Sequence, residues 1–553
     1  MAQAGRGKPL SWGDTFFLYL EREGQPLNVA CTCELEGSVS LQDLTKYVAS
    51  KLDLIPRYKQ RAVFPQFNLG PPTWEPDPNF DIRNHIHQVS RKGGTDADLK
   101  AVASDIISSI LSRNRPLWDL TLVRGLKGNR TGFVFRVHHA LADGVAGVGL
   151  MNVLFDTSPT PRKAPAAKQR DEAPQLTDSL AQLLDGVLKS YQSFMQGALT
   201  AQSEVLTIAR ELLASTTNGR TEELMHLVPE LASPSERLPF NQAICRGPQK
   251  IAWGEMPMAE IKAIRENVGG TVNDVVLTVI TSTVRRYAEL HGVKLRGRNL
   301  RLMVPVNIRA NGDISELGNK ISFLPINTPL DVSDPRMLLA RVSERMLFLR
   351  SIGVQDLVGL VGALVSKVPH PVQAALVPIL TQLPLSLCNM ICTNVPGPRQ
   401  PLYLLGHKML RAYPYVPIGG EMGVNVAILS YNGTAYVGYG GDVHAVPDID
   451  KFEELLRVSF AELHEAAVGT PSQTKVPARK ARVAAPSQPA RQVKITPAAV
   501  APPARPKVRL IPTTKPETPK RKVVAAKKAA VPFPPATEAK PAVEQEALAR
   551  SGD

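Results

Sequence analysis

Two adjacent histidines, an aspartate and a glycine stand together at the end of an apolar run, FVFRVHHALADG, which holds His138, His139, Asp143 and Gly144. Imidazole exchanges its proton near neutral pH, so a histidine held at a cleft can serve as a general base. The run before it reads as a strand, and side chains alternate along a strand. His139 therefore shares a face with Phe133, Phe135 and Val137, and His138 shares the other with Val134 and Arg136. One histidine can face a cleft while its neighbour packs or hydrogen-bonds beneath. Diverging neighbours cannot chelate one ion, which argues against a metal site. A Ser-His-Asp triad would need a G-x-S-x-G elbow that the chain lacks. Two readings stay open on the residues alone: general-base chemistry, and core histidines satisfied beside a loop-capping aspartate.

The elements that must position this segment follow from periodicity. LNVACTCELEG (27–37), LWDLTLVRGL and TGFVFRVHHA read as strands, the last two joined by the turn KGNR. LQDLTKYVASKL (41–52), DLKAVASDIISSILS (98–112) and GVAGVGLMNVLFD read as helices, the last glycine-studded, with Gly144 giving the turn before it backbone freedom. SPTPRKAPAAKQRDEAPQ (158–175) has no periodicity and reads as a linker, and a long helical pattern from Leu176 to Ala214 follows. Beyond Ser233 the alternation resumes, with helices in PMAEIKAIRENVGG, VNDVVLTVITSTVRRYAELHG and KFEELLRVSFAELHEAAVG, and strands in LRLMVPVNIR, EMGVNVAILSYNG and TAYVGYGGD. The expected organisation is a lobe over 1–157, a linker and helical crossover over 158–232, a second lobe over 233–470 and a tail over 471–553.

Charge separates tail from body. The tail carries 17 Lys+Arg against 5 Asp+Glu and 15 of the 47 prolines, whereas the other residues carry 48 basic against 45 acidic groups. A near-neutral body argues against nucleic acid as main partner, and the Pro/Ala/Lys composition predicts a disordered tail, either a flexible appendage or an attachment to anionic lipid, with nucleic acid attracted only non-specifically. Five cysteines, with Cys31 and Cys33 on one strand face, fit a reducing cytoplasm better than a disulfide scaffold. No apolar leader is evident at the N-terminus. The uncharged stretch from Pro371 to Pro398 is broken by Pro378 and Pro384, so membrane contact is expected to be peripheral. Within it, Val372–Leu387 is either apolar surface for a membrane or lipid inclusion or buried core, with core the default.

HHALADG fits the HHxxxDG pattern of CoA-dependent acyltransferases and peptide-synthetase condensation domains, and the surrounding text resembles the bacterial wax ester synthase/diacylglycerol acyltransferase family. LSWGDTFFLYLE (10–21) is similar to that family's LSPLDAxFLxxE pattern, with Trp12-Gly13 in place of Pro-Leu. WEPDPNFDIRNHI (74–86), RPLWDL (115–120), TVNDVVLTVITSTVRRY (271–287), VPVNIR (304–309), LGNKIS (317–322), NVPGPRQPLYLLG (394–406) and GDVHAVPD (441–448) look like further family blocks, in order. The linker at 158–175 and the tail have no counterpart.

The resemblance implies an α/β fold of two chloramphenicol-acetyltransferase-like lobes meeting along a channel. It implies an acyl-CoA-dependent O-acyltransferase esterifying diacylglycerol or long-chain alcohols, with acyl-CoA as co-substrate and no bound cofactor or metal. His139 would be the base, supported by His138 and Gly144. Asp143 would pair with an arginine, Arg309 being the candidate. Asn273 would be the oxyanion donor unless it is the N-cap of the following helix, a place Asp274 can also fill. Pro116, Leu117 and Trp118 would pack at the lobe interface. Two rival functions remain: a condensation-like enzyme acting on another alcohol or amine, and a non-catalytic lipid-binding homologue. Acyl chain length, acceptor preference and oligomeric state are not legible.

Overall fold

The computed structural model describes residues 7–68, 70–142, 144–160, 230, 233–241, 244–307, 321–353, 368, 370–380 and 387–469. All of them belong to one compact unit within Met1–Thr474. Asp143, Arg309, nearly all of the expected crossover and the tail from Pro471 lie outside the described residues.

The alternating runs pair as strands around two cores. In the first lobe β2 (Asn28–Glu36), β7 (Arg130–His138), β6 (Trp118–Leu126) and β5 (Ile86–Gly94) lie side by side, antiparallel except for the β6–β5 pair. A small sheet of β1 (Lys8–Pro9), β4 (Thr73–Pro76) and β3 (Gln60–Val63) flanks them. Helices α1 (Trp12–Leu20), α2 (Leu41–Lys51), α3 (Asp96–Ile107) and α4 (Gly144–Leu154) belong to this half of the chain. Trp118 stacks on His85 with ring centroids 4.5 Å apart and donates its indole N–H to Tyr58 O at 2.8 Å. Those partners place Trp118 inside the first core rather than at the lobe interface, because the indole N–H needs a buried acceptor that the first lobe supplies.

The second sheet runs β10 (Ile321–Pro329), β9 (Asn299–Asn307), β11 (Met390–Pro396), β14 (Val424–Tyr431), β15 (Thr434–Asp442), β8 (Gln249–Pro257). α5 (Met258–Val268), α6 (Val272–Leu290), α7 (Pro335–Ser351) and α9 (Lys451–Val468) supply apolar faces to its core. At the start of α6, Thr271 Oγ1 accepts from Asp274 N–H at 3.2 Å and Asp274 Oδ2 accepts from Thr271 N–H at 2.8 Å. Thr271 is thus the N-cap and Asp274 the third helical residue of a capping box, so Asn273 caps nothing.

The lobes share strands. β13 (His407–Tyr415) and the short β12 (Tyr403–Leu404) come from the second half of the chain yet complete the first sheet, with β13 antiparallel to β2. The second lobe is therefore not all of 233–470: residues 403–415 belong structurally to the first. β13 can cross β15 because Gly438 and Gly440 lack side chains there; a Cβ on Gly438 would overlap the Pro414 carbonyl oxygen. α3 covers the free edge of β8, where Ser108 Oγ accepts from Gln249 N–H at 2.8 Å and Ser104 Oγ from Ile251 N–H at 3.1 Å.

No helix among the described residues is long and apolar enough to cross a membrane. Burial of Val372–Leu387 is overturned for its described part. In α8 (His370–Leu380), Val377 is 5% exposed, but Val372, Leu376 and Ile379 are 40%, 46% and 54% exposed. Their spacing of four and three residues puts them on one helix face.

Candidate active site

β7 delivers the histidine pair as its alternation requires. Phe133, Phe135 and Val137 line an apolar cavity of about 80 Å³, and His139 is the next residue of that parity. The other face carries Val134, Arg136 and His138, all buried. Arg136 pairs there with its cross-strand partner Asp119, Nε to Oδ1 at 3.0 Å, and donates to Ser109 O at 2.8 Å. A buried pair so fully bonded keeps that face polar without an unpaired charge.

His138 has no access to solvent. Ala140 N–H donates to its Nδ1 at 3.0 Å, so the neutral ring carries its proton on Nε2, which lies 3.4 Å from Glu21 Oε1. His138 O accepts from Leu141 N–H at 2.8 Å, closing the turn that leads towards α4. His139 is partly exposed and lies flat against Phe17, with centroids 3.8 Å apart and ring planes 16° apart. Its backbone N–H donates to Leu27 O at 2.8 Å.

Glu21 binds the strand end together. Its Oε1 accepts from Leu27 N–H at 3.1 Å, and its Oε2 from Arg113 Nη2 at 3.3 Å. Burial alone would raise the pKa of this carboxyl. The His138 contact, the Leu27 N–H and the Arg113 charge outweigh burial and hold it below the usual glutamate value. Neither Glu21 nor Phe17 was singled out from the sequence. The available signal was a carboxylate one turn beyond an aromatic residue, at the end of a helix with an apolar last turn.

The cavity walls come from both lobes. β2 contributes Cys31 and Cys33, whose sulfurs are 3.6 Å apart on one strand face, as alternation predicts. The contact with Cys31, then burial, pushes the Cys33 thiol well up, so it stays protonated. α4 contributes Gly147 and Met151, the second lobe Thr393, Val395 and Ile428, and β13 Pro414 and Tyr415. Such a lining suits an alkyl chain and offers a charged group nothing.

Of the other expected site residues, Asn273 and Gly144 fall within the described residues. Asn273, in the first turn of α6, accepts a hydrogen bond from Asn394 Nδ2 through Oδ1 at 3.3 Å. Asn394 sits on β11 between Thr393 and Val395, which face the cavity, so it points to the opposite side. Among the residues lining the cavity Asn273 does not occur. Gly144 opens α4, while Asp143 and Arg309 fall outside the described residues. Among the described residues no three His, Cys, Asp or Glu side chains converge as a metal site would need.

Comparison with known proteins bears on this geometry. The profile of the wax ester synthase/diacylglycerol acyltransferase catalytic domain matches residues 10–276, and that of the family's C-terminal domain matches residues 317–464. A Mycobacterium tuberculosis protein named as a diacylglycerol O-acyltransferase is 30% identical over 475 residues, covering 81% of this chain and 89% of the relative. A second one from that organism is 27% identical over 443 residues, covering 79% and 91%. The wax ester synthase/diacylglycerol acyltransferase of Marinobacter aquaeolei VT8 superposes with a TM-score of 0.57 at 23% identity, over 84% of this chain and all 100% of that one. The first condensation domain of the CDA synthetase superposes at 0.52 with 14% identity, over 85% and 99%. These last two likenesses concern the two-lobed fold. With both family domains present in order and a relative 30% identical over most of its length, the chain belongs to the wax ester synthase/diacylglycerol acyltransferase family and is an acyltransferase.

Proposed function

We propose that this enzyme transfers a long-chain acyl group from acyl-CoA to the hydroxyl of diacylglycerol, of a long-chain alcohol, or of both, with His139 as general base. The observation that supports the reading is that Phe133, Phe135 and Val137 line the apolar cavity and that the half-buried His139 follows in the turn just past the end of β7, against Phe17. An acyl chain lying along that face brings its thioester carbonyl towards the imidazole. The acceptor hydroxyl then loses its proton to His139 as its oxygen bonds to the carbonyl carbon, and the proton passes to the departing CoA thiolate. The oxygen that gains charge needs a hydrogen-bond donor; the candidate is the amide N–H of Asn273, whose Oδ1 is engaged by Asn394 away from the cavity lining, so it would have to turn towards the thioester to serve. Asp143 and Arg309 are assigned the pairing that steadies the loop after the histidines.

Both substrates are lipids, and α8 offers a way to reach them. Its stripe of Val372, Leu376 and Ile379 would sit in a membrane or lipid inclusion, making attachment peripheral, with the basic tail adding attraction to anionic lipid.

The test is ester formation from labelled palmitoyl-CoA, with diacylglycerol and hexadecanol offered in parallel, by wild type and His139→Ala. Loss of the base is expected to lower turnover by about 10²- to 10⁴-fold. The ratio of the two wild-type products names the acceptor. Equal product from the two proteins would remove His139 from the mechanism.

A further inference from the structure

We propose that α1 is a positioning clamp for the histidine pair: Phe17 sets the ring plane of His139, and Glu21, one turn later, fixes His138 and the strand end. This inference rests on His139 being the base.

Two neighbours on a strand diverge, so no single contact can hold both rings. The end of α1 does so with two residues. Glu21 closes the helix, and its backbone N–H donates to Phe17 O at 3.1 Å, so the two side chains keep a fixed separation. Phe17 lies against the face of His139 with planes only 16° apart. Tilting the imidazole out of that plane would break the stack, so Phe17 confines its nitrogens to one plane. The face of an aromatic ring also favours a cation, so Phe17 stabilises the imidazolium that forms when the base takes its proton.

Glu21 acts on the other ring and on the backbone. It faces the Nε2 of His138, and through Leu27 it steadies the carbonyl that holds the His139 N–H. The charged side chain that meets Glu21 from the far side is Arg113, which also donates to Leu18 O at 2.7 Å and so ties the clamp to α1 itself. Asp143, on the same segment as the histidines, lies outside the described residues.

The test uses the full-length enzyme carrying Phe17→Tyr, Phe17→Leu, Glu21→Gln or His139→Ala. We would measure kcat and KM for palmitoyl-CoA with diacylglycerol from pH 5 to 9, and check folding by thermal melting. Phe17→Tyr keeps the aromatic face and should retain most of the kcat that Phe17→Leu loses. Phe17→Leu keeps an apolar filler but no face; kcat should fall about 10- to 100-fold with KM little changed. Its acidic limb should move to lower pH by about half a unit, because the protonated ring loses its aromatic partner. Glu21→Gln, nearly isosteric, should lower kcat without raising KM, and it carries the test alone if Phe17→Leu does not fold. Wild-type kcat in a folded Glu21→Gln, or in Phe17→Leu with an unmoved limb, would overturn the clamp while an inactive His139→Ala kept the base. An active His139→Ala would instead remove the base, and the clamp's purpose with it.

Discussion

Gly147 offers a direct test of what the cavity holds. It lines the cavity from the second turn of α4, and a Cβ built on it meets nothing within 4 Å. Gly147→Leu would therefore place four carbons in space now open, without displacing a neighbour at its first atom. Each methylene of an acyl chain denied burial forfeits about 0.8 kcal/mol, so four come to about 3 kcal/mol. In kcat/KM that is about 200-fold. The loss falls on donors long enough to reach Gly147 and spares those whose chains end short of it. Measured with octanoyl-, lauroyl- and palmitoyl-CoA at one acceptor, the palmitoyl-to-octanoyl ratio should drop by about two orders of magnitude. Stability should not suffer, since replacing glycine inside a helix gains up to about 1 kcal/mol of propensity. A uniform loss at an unchanged ratio would refute the cavity as the acyl path. A shift in selectivity among acceptor lengths instead would assign the cavity to the acceptor.

Two further outcomes follow from named side chains. Because the folded-state pKa of Glu21 is depressed, its contribution to stability is complete above the unfolded value of about 4.3 and is lost as pH falls through the folded one; urea melts of wild type should weaken across that acid window, and those of Glu21→Gln should be flatter there. Leu376→Glu with Ile379→Glu places charge on the exposed α8 face, and sedimentation with lipid vesicles should show binding reduced by about 10-fold or more while activity on a detergent-dispersed acceptor is kept; undiminished vesicle binding would move attachment elsewhere.

The local part of this fold was legible because period and capping are local. The strand at 27–37, the hairpin on either side of KGNR and the helices at 41–52 and 451–469 appear within a residue or two of where their patterns place them. The shared face of Cys31 and Cys33, and the burial of His138 away from the cavity that Phe133, Phe135 and Val137 line, follow from the same two-residue period. What alternation does not encode is which strand pairs with which. β2 takes one neighbour about a hundred residues away and the other, β13, nearly four hundred away, and nothing within LYLLGHKMLRAYPY announces that it leaves its own half. Trp118 was misplaced for the same reason, since its packing partners His85 and Tyr58 lie far back in the sequence. The cap of α6 is a different case: the T-x-x-D spacing of Thr271 and Asp274 was visible, and the weight given to Asn273 chemistry hid it.

The strand exchange also explains why this chemistry needs both halves of the chain. The first lobe supplies the histidines and one face of the cavity, through Phe133, Phe135 and the β2 cysteines. The opposing wall is Thr393, Val395 and Ile428 of the second sheet, and Pro414 and Tyr415 reach the cavity on the strand that joins the two. Water would enter a cavity missing either wall, and an alkyl chain would gain little by leaving its membrane for it. The close crossing that Gly438 permits is thus a condition for bringing Pro414 and Tyr415 to the cavity. On the outer side the chain of contacts is short. The exposed apolar stripe of α8 belongs to a helix packed on α1, and α1 carries Phe17 and, at its end, Glu21, which lie against His139 and His138. If α8 docks on lipid as proposed, the same contact seats the helix beside the proposed base, so delivery of the acceptor and aim of the imidazole would depend on neighbouring elements.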